Sequence, residues 1–195
     1  MRIVITGADG FIGKNLHIRL AELGYTNTVG VTRSTTAAEF QQALAGADFV
    51  FHLAGVNRPE DPADFVVGNA TLTQDICAAL AKTGRKVSVA FTSSAQAVLD
   101  NLYGQSKLAA ERALQHYGAE AQAPVYIYRL SNVFGKWCRP NYNSVVATFC
   151  HNIARGLSVA VHDAASPLRL VYVDDVVDSL VGLLSEPPVT GGLVD

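Results

Sequence analysis

Charge is scarce in this sequence. Asp, Glu, Lys and Arg make up 16% of its 195 residues, against 49% hydrophobic residues. That balance excludes a disordered chain and suits a sheet buried on both faces. Neither sign dominates: a net charge of −2 and a pI near 6.2 give nucleic acids and anionic membranes nothing to attract. No apolar run approaches the roughly 18 residues of a membrane span, and Arg2-Ile3-Val4-Ile5-Thr6 follows the first residue with no signal peptide, so a cytoplasmic location is expected. Cysteine is sparse too. Cys77, Cys138 and Cys150 form no C-x-x-C pair and are odd in number, which excludes a disulfide framework and fits reduced thiols. His151 and His162 have no partners at metal-ligand spacing, so no metal is expected.

What is present is a regular alternation. Short apolar, β-branched runs fall at 3–6, 28–32, 49–53, 87–92 and 125–129, with a later one at 169–173. Between them lie helical patterns. Phe11, Ile12, Leu16, Leu20 and Leu23 share one face and stop at Gly24; 37–44 and 63–82 follow, the latter ending at Gly84. Patterns over 103–117, 143–155 and 174–185 complete the set, with Gly118 and Gly156 read as stops. Stacked strand–helix–strand units pack right-handedly, so the expected fold is a Rossmann-type, doubly wound parallel α/β sheet with helices on both faces. Residues 1–185 form one domain in this reading, with substrate-lobe elements from about 131. After the Glu186-Pro187-Pro188 breaker, 186–195 is expected to be a tail and a truncation point.

Thr6-Gly7-Ala8-Asp9-Gly10-Phe11-Ile12-Gly13 lies directly between the first strand and first helix. At that position glycines permit a tight turn, close backbone approach to a pyrophosphate, and close packing of helix on strand. The helix N-terminus then offers free N–H groups to the phosphates. Gly7, Gly10, Phe11, Ile12 and Gly13 are therefore candidate cofactor contacts. Twenty residues past Gly13, the second strand ends in Arg33 rather than an acidic residue. An acid there would bind a ribose 2′-hydroxyl, whereas Arg pairs with a 2′-phosphate, so NADP(H) is favoured over NAD(H).

Tyr103-Gly104-Gln105-Ser106-Lys107 places a phenol and an ammonium four residues apart on one helix face. Reducing a ketone requires a proton for the developing alkoxide. Lowering a phenol by about 3 pH units from its usual value near 10 takes roughly 4 kcal/mol. One cation at about 4 Å in an effective dielectric near 20 supplies about that much, so Lys107 is expected to bring Tyr103 toward neutrality. Ser94, at the carboxyl end of the fourth strand, is placed to hold the substrate oxygen against Tyr103. Ser94, Tyr103 and Lys107 are the candidate catalytic residues.

These motifs resemble the extended short-chain dehydrogenase/reductase superfamily, the NAD-dependent epimerases and dehydratases. The resemblance runs through TGADGFIG at 6–13, HLAG at 52–55, Asn69, SS at 93–94, YGQSK at 103–107 and YVDD at 172–175. It implies that Leu53, Ala54 and Gly55 line the adenosine and ribose side of a cofactor also touched by Tyr103 and Lys107. HLAGVNRPE (52–60), the segment 126–150 and the short Ser94–Tyr103 spacing look more narrowly like bacterial capsule and O-antigen reductases. Those act in UDP-N-acetyl-L-fucosamine synthesis and precede a cupin-type epimerase domain. The implied reaction is NADPH-dependent reduction of the 4-keto group of a UDP-2-acetamido-2,6-dideoxy-hexos-4-ulose. Asn132, Arg139, Asn143 and Ser144 become candidates for gripping this UDP-linked keto-sugar, or else form a polar loop covering the sheet. A homodimer and a cupin partner domain complete the implied assembly.

Other chemistries leave fewer traces. A 4,6-dehydratase needs an acid and a base beside the catalytic Ser or Thr, and Ala95 and Gln96 provide neither. An NAD-dependent 4-epimerase would share the Ser, Tyr and Lys, and only Arg33 and the narrower resemblance speak against it. A non-catalytic NADP sensor would have little use for the Tyr–Lys pair. His52 is expected to be a satisfied core residue, and Trp137 either packs or stacks on a uracil.

Overall fold

Ile3 and Ile5 face one side of the central sheet and Val4 the other, and all three are fully buried. Alternation with both faces apolar requires a cover on each side. In the computed structural model, which describes residues 1–161, 163, 165, 167–185 and 192–194, helices supply both covers. Leu16 and Leu20 of α1 (Phe11–Glu22) and Val176, Val177 and Leu180 of α6 (Val173–Gly182) pack on the Ile3/Ile5 face. Ala43 and Leu44 of α2 (Ala37–Ala45), Ile76 and Leu80 of α3 (Leu72–Ala81), and Ala110 and Leu114 of α4 (Leu102–Ala121) cover the Val4 face. Each such Leu or Ile stabilises the fold by about 1.5–3 kcal/mol relative to exposure.

The strands are β1 (Ile3–Thr6), β2 (Thr28–Val31), β3 (Phe49–His52), β4 (Ser88–Ser94), β5 (Val125–Leu130), β6 (Asn132–Phe134), β7 (Leu170–Tyr172) and β8 (Gly192–Val194). Six form one parallel sheet in the order β2-β1-β3-β4-β5-β8. The winding reverses between β1 and β3, where Thr6 stands opposite His52. Ligands of open α/β sheets bind beyond the carboxyl ends of strands at such a reversal. The α/β fold expected from the alternating pattern is the fold observed, and β2 leads into α2 with no strand between them. Thr36 begins α2 through a reciprocal capping box with Glu39.

Several boundaries differ from the sequence expectation. Gly118 does not stop α4, which runs to Ala121 and ends at Gln122 in the left-handed region. A side chain at 118 would meet Val125 Cγ2 at 2.9 Å, so this glycine lets the helix approach β5. The helix expected over 63–82 begins as a wide π-type turn, Val66–Thr71. A short second sheet pairs β6 with β7, so the 169–173 run joins Asn132–Phe134 rather than the main sheet. Residues 192–194, read as part of a coreless tail, pair with Tyr126–Tyr128 at the sheet edge. Glu186-Pro187-Pro188 and His162 lie outside the described residues. Among the described residues, no helix is long and apolar enough to cross a membrane.

Candidate active site

The turn after β1 can be built only from residues without side chains at its key points. Gly7 has φ +68°, and a Cβ there would sit 2.8 Å from the Ala54 amide nitrogen. A Cβ at Gly13 would lie 2.2 Å from the Gly7 carbonyl oxygen. Gly10 caps α1 with no side-chain acceptor, and the first turn carries no acid, so its amides remain for an external anion. Phe11 and Ile12 pack against the core from this turn. Leu53 and Ala54 are tied alongside it, the Leu53 amide donating to the Thr6 carbonyl and the Ala54 amide to the Thr6 hydroxyl. A glycine cradle beside an open helix end fits the pyrophosphate of a dinucleotide. Arg33 lies exposed just past β2, without an ion-pair partner among the described residues.

Ser94, Tyr103 and Lys107 come together at the carboxyl end of β4. Ser94 closes the strand and accepts the Gln96 amide, starting a single 3-10 turn over Ala95–Val98. Asn101 caps α4 by accepting the Gly104 amide at 2.8 Å. Gly104 sets the depth of this helix: a Cβ there would lie 2.2 Å from the Gln96 carbonyl oxygen and 2.6 Å from that of Leu99. The approach brings the Tyr103 phenol against the Ser94 hydroxyl, with the Phe65 ring 5.7 Å away.

Lys107 turns inward from the same helix. Its ammonium donates to the Thr92 carbonyl at 3.0 Å and sits 4.7 Å above the centre of the Phe91 ring. It also reaches the backbone of Gly55, where a Cβ would lie 3.0 Å from Nζ. Burial lowers its pKa to about 8, partly opposed by the Glu111 carboxylate. The expectation that Lys107 lowers the phenol is not met. Burial raises the Tyr103 pKa, and it is the Ser94 hydroxyl that partly opposes this. The ammonium is committed to Thr92, and four-residue spacing sets the helix face without fixing where a long side chain ends.

Three buried residues support this group. Asn69, 1% exposed, accepts the Val56 amide and donates to the Val56 carbonyl and to the Ser106 hydroxyl, fastening the loop after β3 to α4. A π-type turn that carries such a residue is a common functional device. His52 is the satisfied core residue expected, bonded to Thr6 and Thr73, with burial first and Lys107 second lowering its pKa to about 3. Glu111 was not anticipated from the sequence. It accepts the Ser93 hydroxyl at 2.5 Å and a two-pronged bond from Arg129 at 2.9 and 2.6 Å. This joins β4, β5 and α4 one residue from Ser94. Its signal was spacing: an acid one turn beyond Lys107 on a face that must be buried.

Among the described residues, no hydrogen bond joins the four candidate sugar contacts to one another. Ser144 caps α5 (Val145–Ile153) by accepting the Ala147 amide, and Asn132 ties β6 to the Arg169 carbonyl. Asn143 is exposed. Arg139 stacks on Tyr142, whose hydroxyl donates to Asn57 at 2.6 Å. Trp137 is held in the left-handed region with Lys136 over its ring.

The switch-point crevice, glycine cradle and parallel order define a Rossmann-type, NAD(P)-binding α/β domain. The chain belongs to the NAD dependent epimerase/dehydratase family, whose model matches residues 3–191. It is 48% identical over 184 residues to a Pseudomonas aeruginosa protein named UDP-2-acetamido-2,6-beta-L-arabino-hexul-4-ose reductase, covering 94% of this chain and 50% of that one. Among solved structures it resembles the capsular polysaccharide assembling protein CapF of Staphylococcus aureus, with 45% identity and a TM-score of 0.86 over 98% of this chain and 52% of that one. It also resembles MoeE5 in complex with UDP-glucose and NAD, with 26% identity and a TM-score of 0.85 over 100% of this chain and 75% of that one. The chain thus spans about half the length of the first two relatives.

Proposed function

We propose that this chain carries the reductase centre of an enzyme that uses NADPH to reduce the 4-keto group of a UDP-2-acetamido-2,6-dideoxy-hexos-4-ulose in capsule or O-antigen nucleotide-sugar synthesis. The observation that carries this reading is the meeting of Ser94, Tyr103 and Lys107 beside a glycine cradle at the switch point. Likeness to a named keto-sugar reductase supports the substrate class. A cupin-type epimerase domain and a homodimer belong to the same reading.

Gly7, Gly10 and Gly13, with the α1 amides, hold the cofactor pyrophosphate; Leu53, Ala54 and Gly55 line its ribose side, and Arg33 pairs with its 2′-phosphate. When bound, the reduced nicotinamide supplies the hydride equivalent that the ketone carbon accepts. Ser94 donates a hydrogen bond to the ketone oxygen and holds it against Tyr103. Tyr103 gives up its phenolic proton as that oxygen gains charge. Because burial raises its pKa, the phenol enters each cycle protonated, which is the form a reductase needs. Lys107, cationic below pH about 8, is held on the Thr92 carbonyl and keeps the Gly55 loop in register. Arg139 and Asn143, on the loop that follows β6, reach the UDP-sugar.

The test is a cofactor-oxidation assay with the keto-sugar. A reductase consumes one NADPH per sugar; an epimerase consumes none, and a sensor binds the cofactor without turnover. Tyr103→Phe should lower kcat by about 10²–10⁴-fold while leaving NADPH affinity nearly unchanged. Undiminished turnover by this variant removes Tyr103 from the reaction.

A further inference from the structure

Two arginines on separate loops converge on one ring. Arg58 follows β3 by six residues, and its guanidinium carbon lies 5.9 Å from the centre of the Tyr142 ring. Arg139 lies 5.2 Å from the same centre, and the Tyr142 hydroxyl ties the pair together through Asn57. Neither arginine has a carboxylate partner among the described residues. Each immediately precedes a proline, Pro59 or Pro140, which restricts its backbone to extended conformations and reduces the entropy lost when a ligand is gripped.

The segment 134–144 that carries Arg139 also spans the site. At one end the Lys136 carbonyl accepts from Asn15 of α1, on the helix that follows the glycine turn. At the other, Tyr142 meets Asn57, two residues beyond the Gly55 backbone that Lys107 touches. Along it, Trp137 is held at φ +67°, a conformation that L-residues rarely adopt and that is concentrated at functional sites.

We propose that Arg58 and Arg139, gathered on Tyr142, form the subsite for the diphosphate of the nucleotide sugar; this rests on the function proposed above. Two guanidiniums offer paired, planar donors that match two linked phosphates. The cofactor's pyrophosphate already has its own backbone cradle at Gly7–Gly13, so this cationic pair serves the second diphosphate that the reaction brings.

Calorimetric titration of the 195-residue chain with UDP, UMP and NADP⁺ separates the sources. Wild type should bind UDP more tightly than UMP. Arg58→Met and Arg139→Met should each weaken UDP about tenfold, and the double variant about 100-fold, as expected for lost charge-assisted bonds. NADP⁺ affinity should stay within about twofold, which also shows that the variants are folded. UDP affinity unchanged in the double variant overturns the subsite, as does wild type that binds UDP no better than UMP. Parallel weakening of NADP⁺ and UDP assigns the arginines to the cofactor or the fold and overturns it equally. Failure of the reductase reading has a different signature: UDP binding intact without NADPH consumption.

Discussion

Replacing Lys107 by methionine should make the protein more stable and inactive. Below pH about 8, folded and unfolded chains both carry this lysine protonated, and the folded chain bears the full cost of burying the charge. Between pH about 8 and 10.5 the folded chain releases the proton while the unfolded chain keeps it, so the penalty fades as pH rises. A gap of about 2.5 pH units corresponds to about 3 kcal/mol at neutrality. Methionine fills a similar volume without charge but leaves the Thr92 carbonyl without its donor, which costs about 1 kcal/mol. The net expectation is a gain of about 2 kcal/mol at pH 7 that disappears by pH about 10. Urea unfolding of wild type and Lys107→Met across this range measures it, and other titrating groups cancel in the difference. Equal or lower stability of the variant at pH 7 refutes the claim that this lysine is held charged against its solvation.

Three further outcomes follow from the same site. Gly104→Ala places a methyl group against two carbonyl oxygens, so stability should fall by about 1–3 kcal/mol and kcat by about 100-fold as Tyr103 moves, while the cofactor Kd holds. Arg33→Glu should weaken NADPH relative to NADH by at least about tenfold in fluorescence titrations, and an unaltered preference discards the 2′-phosphate contact. His52, with its pKa lowered to about 3, stays neutral when folded, so stability should be lost as pH falls from about 6.5 toward 3. The stability advantage of wild type over His52→Leu, followed by urea unfolding, should therefore shrink on acidification.

The features legible in the sequence were those governed by repetition or by steric necessity. Runs such as Ile3–Thr6 and Phe49–His52 declared a sheet buried on both faces, and the glycine turn between strand and helix has few other uses. Three-residue strands such as Asn132–Phe134 and Gly192–Val194 are too short to carry a period, so pairing alone reveals them. Gly118 was misread because a glycine that lets β5 come close looks the same in sequence as one that ends a helix. The Tyr103–Lys107 spacing put both residues on one helix face but did not fix where the ammonium ends, since its destination depends on Thr92 of β4 and Gly55 of the loop after β3. Glu111 and Arg58 acquire meaning only once Ser93 and Arg129, or Tyr142 and Arg139, are brought beside them.

The Ser93–Glu111–Arg129 junction welds the helix that carries Tyr103 to two neighbouring strands, while Arg58 and Arg139 ride on outer loops that meet at Tyr142. On the proposed function, reaction rate and ligand choice are therefore mounted on separate parts of the molecule. Rebuilding the outer loops should leave Tyr103 where it stands, so that, on the proposed function, this scaffold becomes a practical starting point for retargeted ketone reduction.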